Sequence, residues 1–176
     1  MSHAQLVITG LGEASGRQKI AFSASVPVAP DYDLPTPSVR GAQIALDDLG
    51  TGASLYERSQ FVGNPVPGGG TIPFSCHAWR RNNTKYRYRE VTRDCPVPAT
   101  NGRVRQVRVD DRRLQTPSEI LVKYTVSEAT VSLPVGPIRS SFTFGSTAIL
   151  SSLGKCGEHT FLPSDCHLSG SKLKCR

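Results

Sequence analysis

The stretch "EILVKYTVSEATVSLPV", residues 119–135, is the longest strand-like run in the chain and sets the expected fold class. Its apolar residues Ile120, Val122, Tyr124 and Val126 share one parity, and polar residues occupy much of the other. A period of two is typical of a β-strand that buries one face. The run therefore predicts a strand of an antiparallel sheet with one face on a core.

A hairpin is predicted upstream in "TIPFSCHAWRRNNTKYRYRE", residues 71–90. Asn82 and Asn83 tolerate the left-handed backbone conformations that tight turns need. The next strand is predicted in "RVRQVRV", residues 103–109. Together these segments predict a central antiparallel sheet over residues 71–135.

The ends of the chain complete the expected single domain of residues 1–176. Two apolar-rich runs about a glycine-containing loop predict an N-terminal hairpin over residues 5–25. Helical patterns are expected in "SVRGAQIALDDLG", residues 38–50, and in "FGSTAILSSLG", residues 144–154. The second of these would make residues 137–176 a helical or irregular part. The expected fold class is therefore α+β, an antiparallel sheet with an N-terminal hairpin and a short C-terminal helical part on one face.

The net charge of +7 is concentrated in one stretch. The segment from Arg80 to Arg113 holds eleven of the 21 basic residues and four of the 14 acidic residues, so it carries the whole excess. Scattered cations would serve solubility equally well, so this concentration indicates a face that binds a polyanion. The alternative is an ordinary solvated basic face.

Within "KYRYRE", residues 85–90, the alternation of a strand separates charge from aromatic bulk. The cations of one parity alternate with the tyrosines of the other. Like charges aligned on a strand face repel one another, so an anion such as RNA phosphate is the expected partner. The cations are Lys85, Arg87 and Arg89, and the tyrosines are Tyr86 and Tyr88.

The length of the hairpin turn decides which residues join these cations. We favour a three-residue turn, which places Ser75, His77 and Trp79 beside them. Trp79 or His77 would then offer a platform on which an unpaired RNA base stacks. A two-residue turn would place Cys76, Ala78 and Arg80 there instead, and core packing is an equally good role for Trp79.

The order of these features resembles the coat proteins of the single-stranded RNA bacteriophages, the levivirus family. The matching segments are the hairpin of residues 5–25, "FSCHAWRRNNTKYRYREV" at 74–91, and "TVSLPV" at 130–135. The resemblance implies a homodimer with one continuous antiparallel sheet, crossed by the helices of each chain. It further implies assembly into an icosahedral shell whose inner sheet face binds genomic single-stranded RNA and an operator hairpin.

By position, the resemblance carries RNA contacts over to residues of this chain. It also implies that disulfides link subunits of the shell, and the odd total of five cysteines leaves at least one outside any internal pair. The expected localisation is the virion, after synthesis in the bacterial host cytoplasm, with no membrane contact. The RNA-binding residues are Ser75, His77, Trp79, Lys85, Arg87, Arg89 and Tyr124, and the candidate inter-subunit cysteines are Cys95, Cys156, Cys166 and Cys175.

Two rival classes remain, a small basic ribonuclease and a non-viral RNA-binding module. A ribonuclease would need an acid and a base among His77, His159, His167 and Lys85, whose spacing fixes no geometry. The cysteines and histidines of residues 156–175 lack the paired spacing of a zinc knuckle. We therefore expect a non-enzymatic protein without a metal or cofactor.

Overall fold

The computed structural model describes residues 1–28, 42–58, 77–82, 84–90, 102–116, 118–144 and 156–176. Within these ranges the chain forms twelve β-strands and one three-residue 3-10 helix at Pro163–Asp165. The strands are β1 Ser2–Thr9, β2 Gln18–Pro27, β3 Ala42–Asp48, β4 Ala53–Arg58, β5 His77–Asn82, β6 Lys85–Glu90, β7 Arg103–Asp111, β8 Glu119–Ala129, β9 Ile138–Phe144, β10 Cys156–Phe161, β11 Cys166–Ser169 and β12 Lys172–Cys175.

The strands form two antiparallel sheets. The large sheet has eight strands in the order β11-β12-β1-β2-β8-β7-β6-β5, and the small sheet has four in the order β10-β9-β3-β4. The predicted N-terminal hairpin is confirmed, since β1 pairs antiparallel with β2. The central antiparallel sheet is also confirmed, because β5 to β8 are consecutive neighbours in the large sheet.

The two sheets pack against each other around one apolar core. The Phe22 ring of β2 meets the Phe161 ring of β10 edge-to-face, with centroids 6.5 Å apart. The hydroxyl groups of Tyr124 on β8 and Ser140 on β9 lie 3.1 Å apart in a buried hydrogen bond. The large sheet thus has an inner face on the core and an outer face that points away from the small sheet.

The α+β assignment is wrong, because the described residues contain no α-helix. Residues 42–48 of the helix expected at 38–50 form strand β3, where Ala42, Ile44 and Leu46 are buried at alternate positions. This segment forms a strand and not a helix because it pairs with β4 on one side and β9 on the other, and a strand of such a sheet needs only one buried face. The second expected helix falls on residues 144–154, and all of it after Phe144 lies outside the described residues.

The expected coat-like fold, with helices over one face of the sheet, is wrong for the same reason. The small sheet covers the face of the large sheet that helices were expected to cover. The described part of residues 137–176 consists of strands and the single 3-10 turn. Among the described segments, none forms a helix with the length and apolar character that crossing a bilayer requires.

One disulfide joins Cys166 and Cys175, which are ladder partners in β11 and β12. The bond lies within one chain, and not between subunits as expected for these two cysteines. Of the other two candidates, Cys156 opens β10 as the ladder partner of Thr143, and Cys95 lies outside the described residues. The disulfide links the edge strand β11 to β12, and β12 pairs with β1.

The buried carboxylate of Asp48 ties the β3–β4 turn to the segment that precedes β9. Its Oδ2 accepts a hydrogen bond from the Val135 N–H, and its Oδ1 accepts from Gly50 and Gly136. The bond from Val135 is the main cause that lowers the pKa of Asp48. The backbones of the two glycines are in close contact, because a Cβ atom on Gly50 would lie 2.8 Å from the Cα atom of Gly136.

We expect Gly50→Ala to lower the free energy of unfolding by about 2–3 kcal/mol, because the added methyl group forces the two turns apart. Urea unfolding measures the change. Gly12→Ala is the control, since nothing lies within 4 Å of a Cβ there and only the positive φ of +81° opposes it. That control should cost about 1 kcal/mol. An equal or smaller loss for Gly50→Ala would contradict the close contact.

Candidate nucleic-acid interface

Strand β6 separates charge from aromatic bulk as predicted. Tyr86 and Tyr88 are buried on the inner face with 7% and 1% of their surface exposed. Lys85 and Arg87 are exposed on the outer face. The predicted alternation within "KYRYRE" is therefore confirmed for these four residues.

Four cationic residues stand in register across four adjacent strands. Arg80 of β5 is the ladder partner of Arg87, and Arg87 is the partner of Arg108 on β7. Arg108 is in turn the partner of Lys123 on β8. Direct partners in an antiparallel ladder share a face, with Cβ atoms about 4.5–5.5 Å apart. We call Arg80, Arg87, Arg108 and Lys123 the cationic row.

Nearby acidic groups only partly neutralise the cationic row. Arg108 pairs with the buried Asp110, with Nη2 2.6 Å from Oδ2, and the hydrogen bond that Arg108 donates to Asp110 raises the pKa of Arg108. Within the part of the chain that the structure describes, no carboxylate lies within the 4.0 Å ion-pair distance of Arg87 or Lys123. The row therefore keeps a positive charge that an anion can neutralise.

Charge is distributed unequally between the two outer surfaces of the sandwich. Lys19 and Lys172 extend the cations of the large sheet, since both are ladder partners of Thr9. The outer face of the small sheet carries the exposed Glu57 and Glu158. It also carries Asp47, which pairs with Arg139 at 2.9 Å. Among the side chains that the structure describes, the positive excess thus lies on the large sheet.

The register of the β5–β6 hairpin differs from the one we favoured. Asn82 pairs with Lys85, so two residues separate the paired positions and the turn is the two-residue one. A shift of one residue moves every position of a strand to the other face. Trp79 is consequently the ladder partner of the core residue Tyr88, and His77 that of Glu90.

The other predicted RNA contacts divide between the two faces. Arg89 is the ladder partner of Ala78, on the parity of Arg87, whereas Ser75 lies outside the described residues. Tyr124 is buried in the core, where its ring stacks on Phe22 with centroids 5.0 Å apart. Burial is the main cause that raises the pKa of its hydroxyl. The positions of His77, Trp79 and Tyr124 thus leave the cationic row without the aromatic platform that we expected.

The histidines considered for a ribonuclease are spread over the molecule. His77 is in β5 and His167 in β11, at opposite edges of the large sheet, roughly 34 Å apart at about 4.8 Å per strand spacing. His159 is on the small sheet, with its ring centroid 4.6 Å from that of Phe161. A single chain therefore does not bring these three together. The described ranges also contain no group of three or more His, Cys, Asp or Glu side chains placed to hold a metal ion.

Comparisons with known protein families, curated proteins and solved structures found no match to this chain. The resemblance to phage coat proteins gains no support from them.

We expect Lys123→Gln to raise the free energy of unfolding by about 0.2–1 kcal/mol at low salt, because it removes repulsion from the cationic row. The gain should shrink near 1 M salt, where the screening length is about 3 Å. Urea unfolding at both ionic strengths measures it. Arg108→Gln is the matched control and should destabilise, since it leaves the buried Asp110 without its partner. Destabilisation by both variants would contradict repulsion in the row.

Proposed function

We propose that the protein binds single-stranded RNA through contacts between the cationic row and phosphate groups. The observation that carries the proposal is the ladder register that aligns Arg80, Arg87, Arg108 and Lys123 across four strands. Like charges placed directly opposite one another destabilise a sheet. Their alignment makes physical sense where a polyanion neutralises them, which a generally solvated basic face does not require.

Contacts of the cationic row are directed to the RNA backbone and not to the bases. The predicted stacking residues Trp79 and Tyr124 do not join the row, and Arg and Lys at exposed positions suit phosphate oxygens. Phosphate contacts carry no sequence information. Binding through the row is therefore independent of sequence.

Release of counterions is the main source of this affinity. Each phosphate that a cation neutralises on a single strand contributes about −0.7 to the slope of log K against log salt. Because Arg108 is already paired with Asp110, three cations of the row remain, and each on one phosphate gives a slope of about −2. Affinity should therefore fall steeply between low and physiological salt.

We expect Arg87→Gln to reduce this slope by about 0.7, because one phosphate contact is lost. Fluorescence anisotropy with a labelled single-stranded oligoribonucleotide at several salt concentrations measures both affinity and slope. Arg139→Gln is the matched control, since it removes the same charge from the outer face of the small sheet. A slope near zero for the unaltered protein, or an equal effect of both variants, would rule out the proposed interface.

We further propose that this binding serves to package RNA in a virion, with the protein as a structural and non-catalytic coat. The observation that favours this role is the one-sided charge of the sandwich. A shell subunit needs one face that holds RNA of any sequence and another that does not. Lys19, Arg87 and Lys123 lie on the first face, and Glu57 and Glu158 lie on the second.

Expression in bacteria followed by electron microscopy tests the coat role. We expect closed particles whose absorbance at 260 nm relative to 280 nm indicates enclosed nucleic acid, because bound RNA holds the cationic faces inward. Soluble protein that binds RNA without forming particles would instead favour a non-viral binding module. Cleavage of RNA by the pure protein would favour the ribonuclease.

A further inference from the structure

A depression of about 460 Å³ opens on the outer face of the large sheet, beside the cationic row. Strands β1, β2, β7 and β8 form it. Its lining combines short and apolar side chains with two cations, Lys19 on β2 and Arg105 on β7. Its lining includes Val7, Thr9, Lys19, Ala21, Arg105 and Thr125.

A bulge in β7 places Arg105 at the depression. Val104 pairs with Val126 and Gln106 pairs with Thr125, so Arg105 is the extra residue of β7 and has no ladder partner. A bulge redirects a side chain and disrupts the ladder only locally. Arg105 is thereby freed from the strict alternation that governs the cationic row.

Strand β8 holds the guanidinium of Arg105 in place. Its Nε atom donates a hydrogen bond of 2.6 Å to Ser127 Oγ, and its Nη2 atom donates one of 2.9 Å to Glu128 Oε1. Glu128 has a φ of +58°, an uncommon backbone conformation for a residue other than glycine. Strain of this kind is often found at binding sites. The side chain of Arg105 nevertheless remains 54% exposed.

We propose that the depression binds one nucleotide of single-stranded RNA, with its base beside the Arg105 guanidinium and its phosphate at Lys19. A fixed, planar guanidinium stacks on the face of an unpaired base. Val7 and Ala21 give the base an apolar surface, and the hydroxyl groups of Thr9 and Thr125 suit a ribose. The site rests on the proposed function, to which it adds a contribution that depends on the base.

The bound base need not be of one kind. Stacking accepts any base, because each base has a π-face. The depression should therefore distinguish a strand that carries bases from a backbone that lacks them, without selecting a sequence. The cationic row binds both strands equally, so the two contributions can be measured separately.

The test compares two labelled oligoribonucleotides of equal length and charge, oligouridylate and its abasic counterpart, by fluorescence anisotropy. We expect the unaltered protein to bind oligouridylate about tenfold more tightly, the gain from one stacked base. Ala21→Leu should abolish this preference by filling the depression. Arg105→Lys should do so by replacing the planar group while keeping the charge. Ala45→Leu, the same change on the outer face of the small sheet, is the control.

The outcomes separate this site from the interface on which it rests. Loss of the preference in both variants, with abasic affinity changed less than twofold, is the result we expect. Equal, salt-dependent binding of both oligonucleotides by the unaltered protein would overturn the nucleotide site and leave the cationic row intact. Binding of neither would overturn both proposals. Melting curves of Ala21→Leu and Arg105→Lys check that each variant is folded.

Discussion

Burial of Tyr86 and Tyr88 between the two sheets holds β6 in the register on which the outer face of the large sheet depends. Burying an aromatic side chain contributes about 1.5–3 kcal/mol, whereas repulsion between cross-strand neighbours costs about 0.2–1 kcal/mol. The tyrosines therefore prevail, and Arg87 must face outward beside Arg108. Core packing therefore imposes the alignment of like charges, and the polyanion that we propose would neutralise their repulsion.

The outer face combines two different devices. In the cationic row, regular alternation repeats one kind of side chain across neighbouring strands. At the depression the strands are irregular. The bulge at Arg105 and the left-handed backbone conformation of Glu128 place a guanidinium where alternation alone would not fix it. The first device suits a repeating backbone of phosphates, and the second suits a single nucleotide. Both lie on one face because the small sheet covers the other.

The fold was predictable where a pattern extended over many residues of one strand. The parity of residues 120–126 identified β8, and the tyrosines of "KYRYRE" identified the inner face of β6. The short segment of residues 42–48 looked helical, because three apolar residues at close spacing fit more than one period. Its pairing with a strand on each side, β9 and β4, makes it a strand. The favoured three-residue turn of the hairpin was wrong, because the sequence also fits a two-residue turn and a shift of one residue reverses every face.

The sequence by itself determined the antiparallel meander, the N-terminal hairpin and the concentration of positive charge, since these follow from periodicity and composition within a segment. Only the tertiary structure decided that a second sheet covers the core, that Cys166 pairs with Cys175, and that Arg87, Arg108 and Lys123 stand side by side. Those features join residues that are distant along the chain. Their contacts depend on which strands become neighbours and in what register, and no local pattern specifies that.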